Sequence, residues 1–165
     1  MVVVMAVSDP GRSTIGALVP NSPGVSFFDA DGLHPLANIE KMAAGTPLTD
    51  EDRWPWLANV GDSLAMAAAR GTGLVIARSA LKRSYRHAIL ERAPGTWFAH
   101  LDGSREVLSS RLDGRTGHLT PSSLPDPQLA TLERLQPDEP GIVLDISASV
   151  SEIVAGATSL IGMSV

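Results

Sequence analysis

The spacing of apolar positions changes along the chain, and each change marks an element. Residues 2–7, Val2-Val3-Val4-Met5-Ala6-Val7, are continuously apolar and mostly β-branched, which predicts a strand covered on both faces in a parallel sheet. Ser13 to Val19 starts a short helix that Pro20 and Pro23-Gly24 stop. Val25 to Asp29 gives a second strand, and Leu36, Ile39 and Met42 predict a helix from His34 to Ala44, ended by Gly45. Thr49, with Asp52 three residues on, has the form of a capping box. An Ala-rich helix follows from Trp54 to Ala69, its start fixed by Pro55, and Gly71-Thr72-Gly73 breaks it. Leu74 to Ala77 is a third strand, Ser79-Ala80-Leu81-Lys82 then leads into a helix to about Glu91, Trp97 to Leu101 is a fourth strand and Ser104 to Leu112 a helix. Asp113 to Pro127, rich in Gly, Pro and Ser, predicts a mobile connection. A short helix from Gln128 to Leu135, a fifth strand from Gly141 to Asp145 and an amphipathic helix from Ser149 to Ile161 follow. Strands alternating with helices predict an α/β fold, a five-stranded parallel sheet in a three-layer α/β/α arrangement.

Composition narrows the setting. A chain of 165 residues is expected to form one domain, residues 1–165, and can bury a core without metal or disulfide staples; having no cysteine, it has neither disulfides nor thiolate metal sites. A net charge of −5 with no basic stripe gives nucleic acid no electrostatic footing. The apolar N-terminus lacks a basic leader and stops at Ser8-Asp9-Pro10, too short for a membrane span or a signal core. The expectation is a cytoplasmic protein with no membrane partner.

Chemistry enters at the end of the first strand. Ser8-Asp9-Pro10-Gly11-Arg12-Ser13-Thr14 has the layout of a phosphate-holding loop, a small-residue turn between a strand and a helix start. Against G-x-x-x-x-G-K-[ST], Ala6 stands at the first glycine, Gly11 at the second, Arg12 at the lysine and Ser13 at the hydroxyl. Such a loop gathers backbone N–H groups on phosphate oxygens, while the lysine spans the β and γ phosphates and the hydroxyl ligates Mg²⁺. Here Pro10 removes one donor, Asp9 brings a negative side chain to the phosphate position, and Arg12 carries its charge on a wider planar fork. From these residues a nucleotide loop and a plain strand–turn–helix are both open readings.

Asp29 and Asp31, two apart, would share a face of an extended segment at a strand's C-terminal edge. One could then position Mg²⁺ and the other accept the proton of a substrate hydroxyl; a solvated turn is the alternative. Lys82 and Arg83 follow the third strand, where they could meet a substrate carboxylate or simply begin a surface helix. Arg111, Arg115 and His118 lie in and beside the mobile connection, as in a lid that carries cations onto transferring phosphate, or in an exposed basic loop. Trp54 and Trp56 read as packing residues, and His87 and His100 as surface or core.

The run Asp31-Gly32-Leu33-His34-Pro35-Leu36-Ala37-Asn38-Ile39-Glu40-Lys41-Met42, continuing through Thr49-Asp50-Glu51-Asp52-Arg53-Trp54-Pro55-Trp56-Leu57, closely resembles the gluconokinase signature. The resemblance continues in Ser79-Ala80-Leu81-Lys82-Arg83-Ser84-Tyr85-Arg86, Leu101-Asp102-Gly103-Ser104, Arg111 to His118 and Gln128-Leu129-Ala130, and so covers essentially the whole chain. It implies a P-loop kinase fold with a lid over about 113–127, and Mg-ATP as the phosphoryl donor to the 6-hydroxyl of gluconate. It also implies roles for single residues. Asp31 would orient or deprotonate the acceptor hydroxyl. Ser8, Gly11, Arg12, Ser13 and Thr14 would hold the nucleotide, with Ser13 and Asp29 at the metal. Acting on the transferring phosphate would be Arg12, Arg111 and Arg115, while His34, Lys41, Arg53, Lys82, His118 and Gln128 would line the sugar-acid site. Members of the family are commonly homodimers. This chain departs from the family pattern at the loop, at Ala30 (usually Gly), at Arg78 (usually Cys), at His87 (usually Asp), and at Leu119-Thr120, Pro125 and Pro127.

Two functions follow as expectations. One is a gluconokinase weakened by its altered loop. The other is an inactive or repurposed homologue that binds a sugar acid or a phosphorylated ligand without phosphotransfer. Restoring the loop with Asp9→Gly, Pro10→Ser and Arg12→Lys together should raise ATP-dependent phosphotransfer to gluconate sharply in a coupled ADP-release assay. No gain would place the limit in the lid or at Ala30.

Overall fold

The computed structural model describes residues 1–7, 11–19, 24–108 and 126–162. Its five strands are β1 (Val2–Ala6), β2 (Val25–Asp29), β3 (Gly73–Arg78), β4 (Trp97–Asp102) and β5 (Gly141–Asp145), paired in the order β2-β3-β1-β4-β5. Every pairing is parallel, so all the C-terminal strand ends lie along one edge.

β1 takes the centre because its residues are apolar on both faces. Val2, Val4 and Ala6 enter one core cluster with Ile15, Leu101, Ile153 and Leu160, while Val3 and Met5 enter the other with Trp56, Leu57, Leu64, Ile89 and Phe98. This is the two-sided burial that the unbroken apolar run predicts. Helices α1 (Arg12–Leu18) and α6 (Val150–Gly162) supply the first cluster; α3 (Asp50–Ala69) and α4 (Arg83–Arg92) supply the second. Helix α2 (Leu36–Ala43) precedes α3, α5 (Asp126–Thr131) precedes β5, and residues 105–108 are helical. Close approach of α1 to the sheet depends on Gly16, where a Cβ would meet the Phe27 ring at 2.5 Å.

Several boundaries differ from the sequence expectation, each for a local reason. Helix α3 begins at Asp50, because the capping box of Thr49 and Asp52 forms in full: Asp52 N–H donates to Thr49 Oγ1 at 3.3 Å and Thr49 N–H donates to Asp52 Oδ2 at 2.9 Å. Pro55 therefore lies inside the helix. Helix α4 starts at Arg83, directly after the Ser79-Ala80-Leu81-Lys82 stretch as expected, with Lys82 extended at its N-cap. Helix α5 takes in Asp126 and Pro127, assigned above to the mobile connection, since proline suits a first helical turn. It stops at Thr131, short of Leu135. Just beyond, the Glu133 N–H donates to the Leu81 carbonyl at 2.8 Å and the Glu133 carbonyl accepts from Arg86 Nη1 at 2.9 Å, so that backbone is spent on tertiary bonds. Asp29 and Asp31 do not share a strand face. β2 ends at Asp29, and Ala30–Leu33 coils into a 3-10 turn that Asp29 caps by accepting from Asp31 N–H at 3.1 Å. The rest of the expected lid, 113–125, and the end of the helix expected to run to Leu112 lie outside the described residues.

Arg86 joins α4 to the segment after α5. Its side chain is fully buried; Nε and Nη2 donate to the two oxygens of Glu139 at 2.6 and 2.8 Å, and Nη1 also reaches the Ala80 and Leu81 carbonyls at 3.2 and 3.3 Å. Burial, the largest single effect, would raise the Glu139 carboxyl, but the hydrogen bonds from Arg86 and the Gln136 N–H, together with the charges of Arg86 and Arg83, outweigh it and hold the carboxyl below the usual 4.5. This stabilisation is fully present above that value and is lost as pH falls through the lower native one. Arg86→Ala should cost about 3–5 kcal/mol in urea unfolding, because it strands a buried carboxylate. Glu139→Gln should flatten the acid limb of the stability curve.

Candidate active site

The site grows from the C-terminal edge of β1, β2 and β3, where open α/β sheets place ligands. Gly11 caps α1 in the left-handed region, φ 98°, a conformation that favours glycine. Arg12 follows, buried, then half-buried Ser13 and exposed Thr14. Ser8, Asp9 and Pro10 lie outside the described residues.

Ser13 and Asp29, sixteen positions apart in sequence, meet here: Ser13 Oγ donates to Asp29 Oδ2 at 2.8 Å. A hydroxyl and a carboxylate side by side fit Mg²⁺, a hard cation that takes a few protein oxygens and completes its shell with water and phosphate. No group of three His, Cys, Asp or Glu side chains suited to a metal occurs among the described residues.

Next to this pair the 3-10 turn presents exposed Asp31 and carries the chain to His34. Two bonds from α3 fix the turn: Trp56 Nε1 donates to the Ala30 carbonyl at 2.8 Å and Asn59 Nδ2 to the Leu33 carbonyl at 3.1 Å. The His34 ring stacks on Trp56, with centroids 3.9 Å apart, and Asn38 Nδ2 lies 3.4 Å from its Nδ1. Burial lowers the His34 pKa, and Arg78 and Arg53 add to that effect against the opposing charge of Asp31. The imidazole is therefore neutral at pH 7.

Behind the turn is a cavity of about 160 Å³ lined by Arg53, Trp56, Arg78, Ser79, Leu81, Tyr85 and Thr131. Arg78 shares the face of β3 with Ile76, two positions back, and so points toward α3 and α4. Its guanidinium carbon lies 4.0 Å from the Trp56 ring centroid. Burial, then the nearby charge of Arg12, lowers its pKa to about 9, which leaves it protonated at neutral pH.

Asp50 organises the other cations of the cavity. It accepts from Lys82 Nζ at 2.5 Å and from the Tyr85 hydroxyl at 2.5 Å, and Arg53 Nη1 stands 3.6 Å away. Hydrogen bonds from Lys82 and then Tyr85 hold its carboxyl below the usual range; the same contact raises Lys82. Lys41 belongs to a separate pair, 2.6 Å from Asp52, and Arg83 pairs with Asp138 on the surface.

The sequence candidates thus fall into three groups. Gly11, Arg12, Ser13 and Thr14 sit at the loop end with Asp29; Asp31 and His34 form the turn; Arg53 and Lys82 flank the cavity. Lys41 sits apart with Asp52. Arg111, Arg115 and His118 lie outside the described residues, and Gln128 lies in α5. Sequence reasoning passed over Asp50 and Tyr85 and took Trp56 for packing alone, although all three lie in the motif runs quoted above. Trp54, by contrast, is 40% exposed and meets Tyr85 edge-on. His87 is exposed beside Glu91, and His100 is buried in β4.

A five-stranded parallel sheet flanked by helices, with a loop and a serine–aspartate pair at its C-terminal edge, defines a three-layer P-loop kinase fold. The gluconokinase of Sinorhizobium meliloti, of known structure, is similar with a TM-score of 0.84 at 44% identity, over 98% of this chain and 91% of that one. The chain is 46% identical over 140 residues to the gluconokinase of Gluconobacter oxydans, covering 85% of this chain and 79% of the relative. It is 39% identical over 153 residues to the thermosensitive gluconokinase of Escherichia coli, covering 92% and 81%. No family model matches. On these relatives the chain belongs to the gluconokinase family, whose members use a nucleotide. No helix among the described residues is long and apolar enough to cross a membrane.

Replacing Asp50 with Asn removes the charge that raises Lys82. In Asp50→Asn, Lys82 should titrate lower and be acylated faster by an amine-directed reagent at pH 9 than in the unaltered protein, read by peptide mass mapping. Equal rates would mean that Asp50 does not hold the ammonium.

Proposed function

We propose that this protein transfers the γ-phosphoryl group of ATP to the 6-hydroxyl of gluconate. The observation that carries the reading is the side-by-side arrangement at the sheet edge: Ser13 and Asp29 joined at 2.8 Å on the loop side, and Asp31 displayed two residues further on by a turn that α3 pins in place. When bound, Mg-ATP supplies the electrophilic phosphoryl group and a metal that offsets its charge.

The chain's own residues do the rest. Ser8, Gly11, Arg12, Ser13 and Thr14 form the nucleotide side, where Arg12 stands in for the lysine as the cation at the phosphates. Ser13 and Asp29 offer the oxygens for the metal. Asp31 takes the proton of the acceptor hydroxyl as it attacks, a role for which an exposed carboxylate at the rim is suited. Neutral His34 can accept or donate one hydrogen bond to a sugar hydroxyl, and Trp56 gives the carbon chain a flat apolar wall. Arg53 and Lys82, held in place by Asp50, reach the acceptor from the α3 side, with Lys41, Gln128 and His118 at the perimeter. Arg111 and Arg115 are the lid cations that meet the transferring phosphate. The protein works as one kinase domain in the cytoplasm and pairs as a homodimer. No observation favours an inactive homologue.

Mass-resolved product analysis with Mg-ATP and gluconate should give a phosphogluconate and ADP in equal amounts. Asp31→Asn should lower kcat by about 100-fold or more, the usual worth of a positioned base, with little change in the KM for ATP. Failure of the unaltered protein to form product at millimolar ATP would overturn the kinase reading.

A further inference from the structure

The two most deeply buried arginines near the site are treated in opposite ways. Arg86 has acceptors on all three of its nitrogens. Arg78 is equally sheltered, at 1% exposure, yet its Nε and Nη1 have no hydrogen-bond partner among the described residues. Its visible partner is the Trp56 ring, which offers a π face and no acceptor. Burying a guanidinium with its N–H groups unmet is costly, and a native structure that keeps such a group beside a cavity calls for a function or a bound partner that meets it.

Arg78 lines the 160 Å³ cavity next to the acceptor turn, and the two cations from the α3 and α4 side already have a carboxylate, Lys82 and Arg53 sharing Asp50. Among the described residues Arg78 Nε and Nη1 find no oxygen acceptor, and an anion small enough for the cavity would supply one. We infer that Arg78 is the carboxylate anchor of the acceptor site: it receives the C1 carboxylate of an open-chain sugar acid beneath Trp56, while the far hydroxyl end of the chain extends toward Asp31. This rests on the proposed kinase reading for the identity of the acceptor, but the anion site stands on Arg78 itself. The chemistry makes the site selective. An alditol of equal length offers a hydroxymethyl group in place of the carboxylate and leaves the buried charge unanswered, which a site built around a charged hydrogen bond discriminates against.

Gluconate and glucitol, which differ in this one group, are the probes. The unaltered protein, Arg78→Met and Arg78→Lys are compared by calorimetry without nucleotide and by ADP release with Mg-ATP. In Arg78→Met the gluconate Kd and KM should rise about 10- to 100-fold, the worth of a charge-assisted bond, with kcat changed less than about threefold. Arg78→Lys should lie between, and the weak response to glucitol should be the same in all three. Equal gluconate affinity in Arg78→Met and the unaltered protein would overturn the assignment while leaving the kinase reading intact. Gluconate binding that depends on Arg78, without turnover in the unaltered protein, would sink the kinase reading and uphold the anchor. Thermal melting checks folding: removing an unpaired buried charge should not lower Tm. Should Arg78→Met nevertheless fail to fold, the comparison within the unaltered protein decides, since glucitol binding as tightly as gluconate would overturn the anchor.

Discussion

The buried ion pair between Arg86 and Glu139 is the constraint on which the acceptor half of the molecule depends. A guanidinium can be buried at tolerable cost only when its donors are met by a carboxylate and carbonyls in good geometry. Arg86 finds them on three separate pieces of chain, the Ala80-Leu81 connection, the backbone at Glu133, and the Glu139 side chain. It therefore fixes where α4 begins, where the chain after α5 runs, and where Lys82 and Tyr85 face. Without that clasp, Thr131 and Leu81 would not close one side of the cavity.

Helix α3 does the complementary work. Its capping box sets its start, which places Asp50 in the first turn and Trp56 two turns in, both on the side of the cavity. Asp50 holds Lys82, Tyr85 and Arg53 in one cluster, and Trp56 fixes the Ala30 carbonyl while receiving His34 and Arg78. One element thus positions both the hydroxyl-facing turn and the cationic wall, so the distance between them is set by a rigid helix.

How much of this the sequence revealed follows from the range of the interactions. β1 was readable because burial on two faces needs an unbroken apolar run, and the capping box because it spans only four residues. The family resemblance located Asp31, His34, Arg53 and Lys82. Helix ends were less legible: the stop at Thr131 depends on Leu81 and Arg86, some fifty positions earlier, and no local pattern at 131–135 carries that information. Asp29 and Asp31 misled for a similar reason, since a two-residue spacing shares a face only if the strand continues, and the turn that ends it is held by Trp56. Arg78 was visible only as a departure from the family pattern. Its significance lies in Nε and Nη1 having no acceptor among the described residues, a property of the assembled surroundings.

The two arginines show how one fold handles buried charge for different ends. Arg86 is satisfied within the chain, so its worth is structural and it is spent on folding. Arg78 sits on a strand whose partners are committed elsewhere: β3 is hydrogen-bonded on both sides by its neighbours, and the Asp50 carboxylate beside the cavity is already claimed by Lys82 and Arg53. A satisfied Arg78 would need one more carboxylate in the cavity, and that carboxylate would occupy the space and cancel the charge an acidic acceptor needs. Leaving the guanidinium on an aromatic face keeps it charged and ordered yet open. The stability given up at Arg78 is affordable because Arg86 and the capping box of α3 secure the same wall independently, which is why the unmet charge can stand at the bottom of the site.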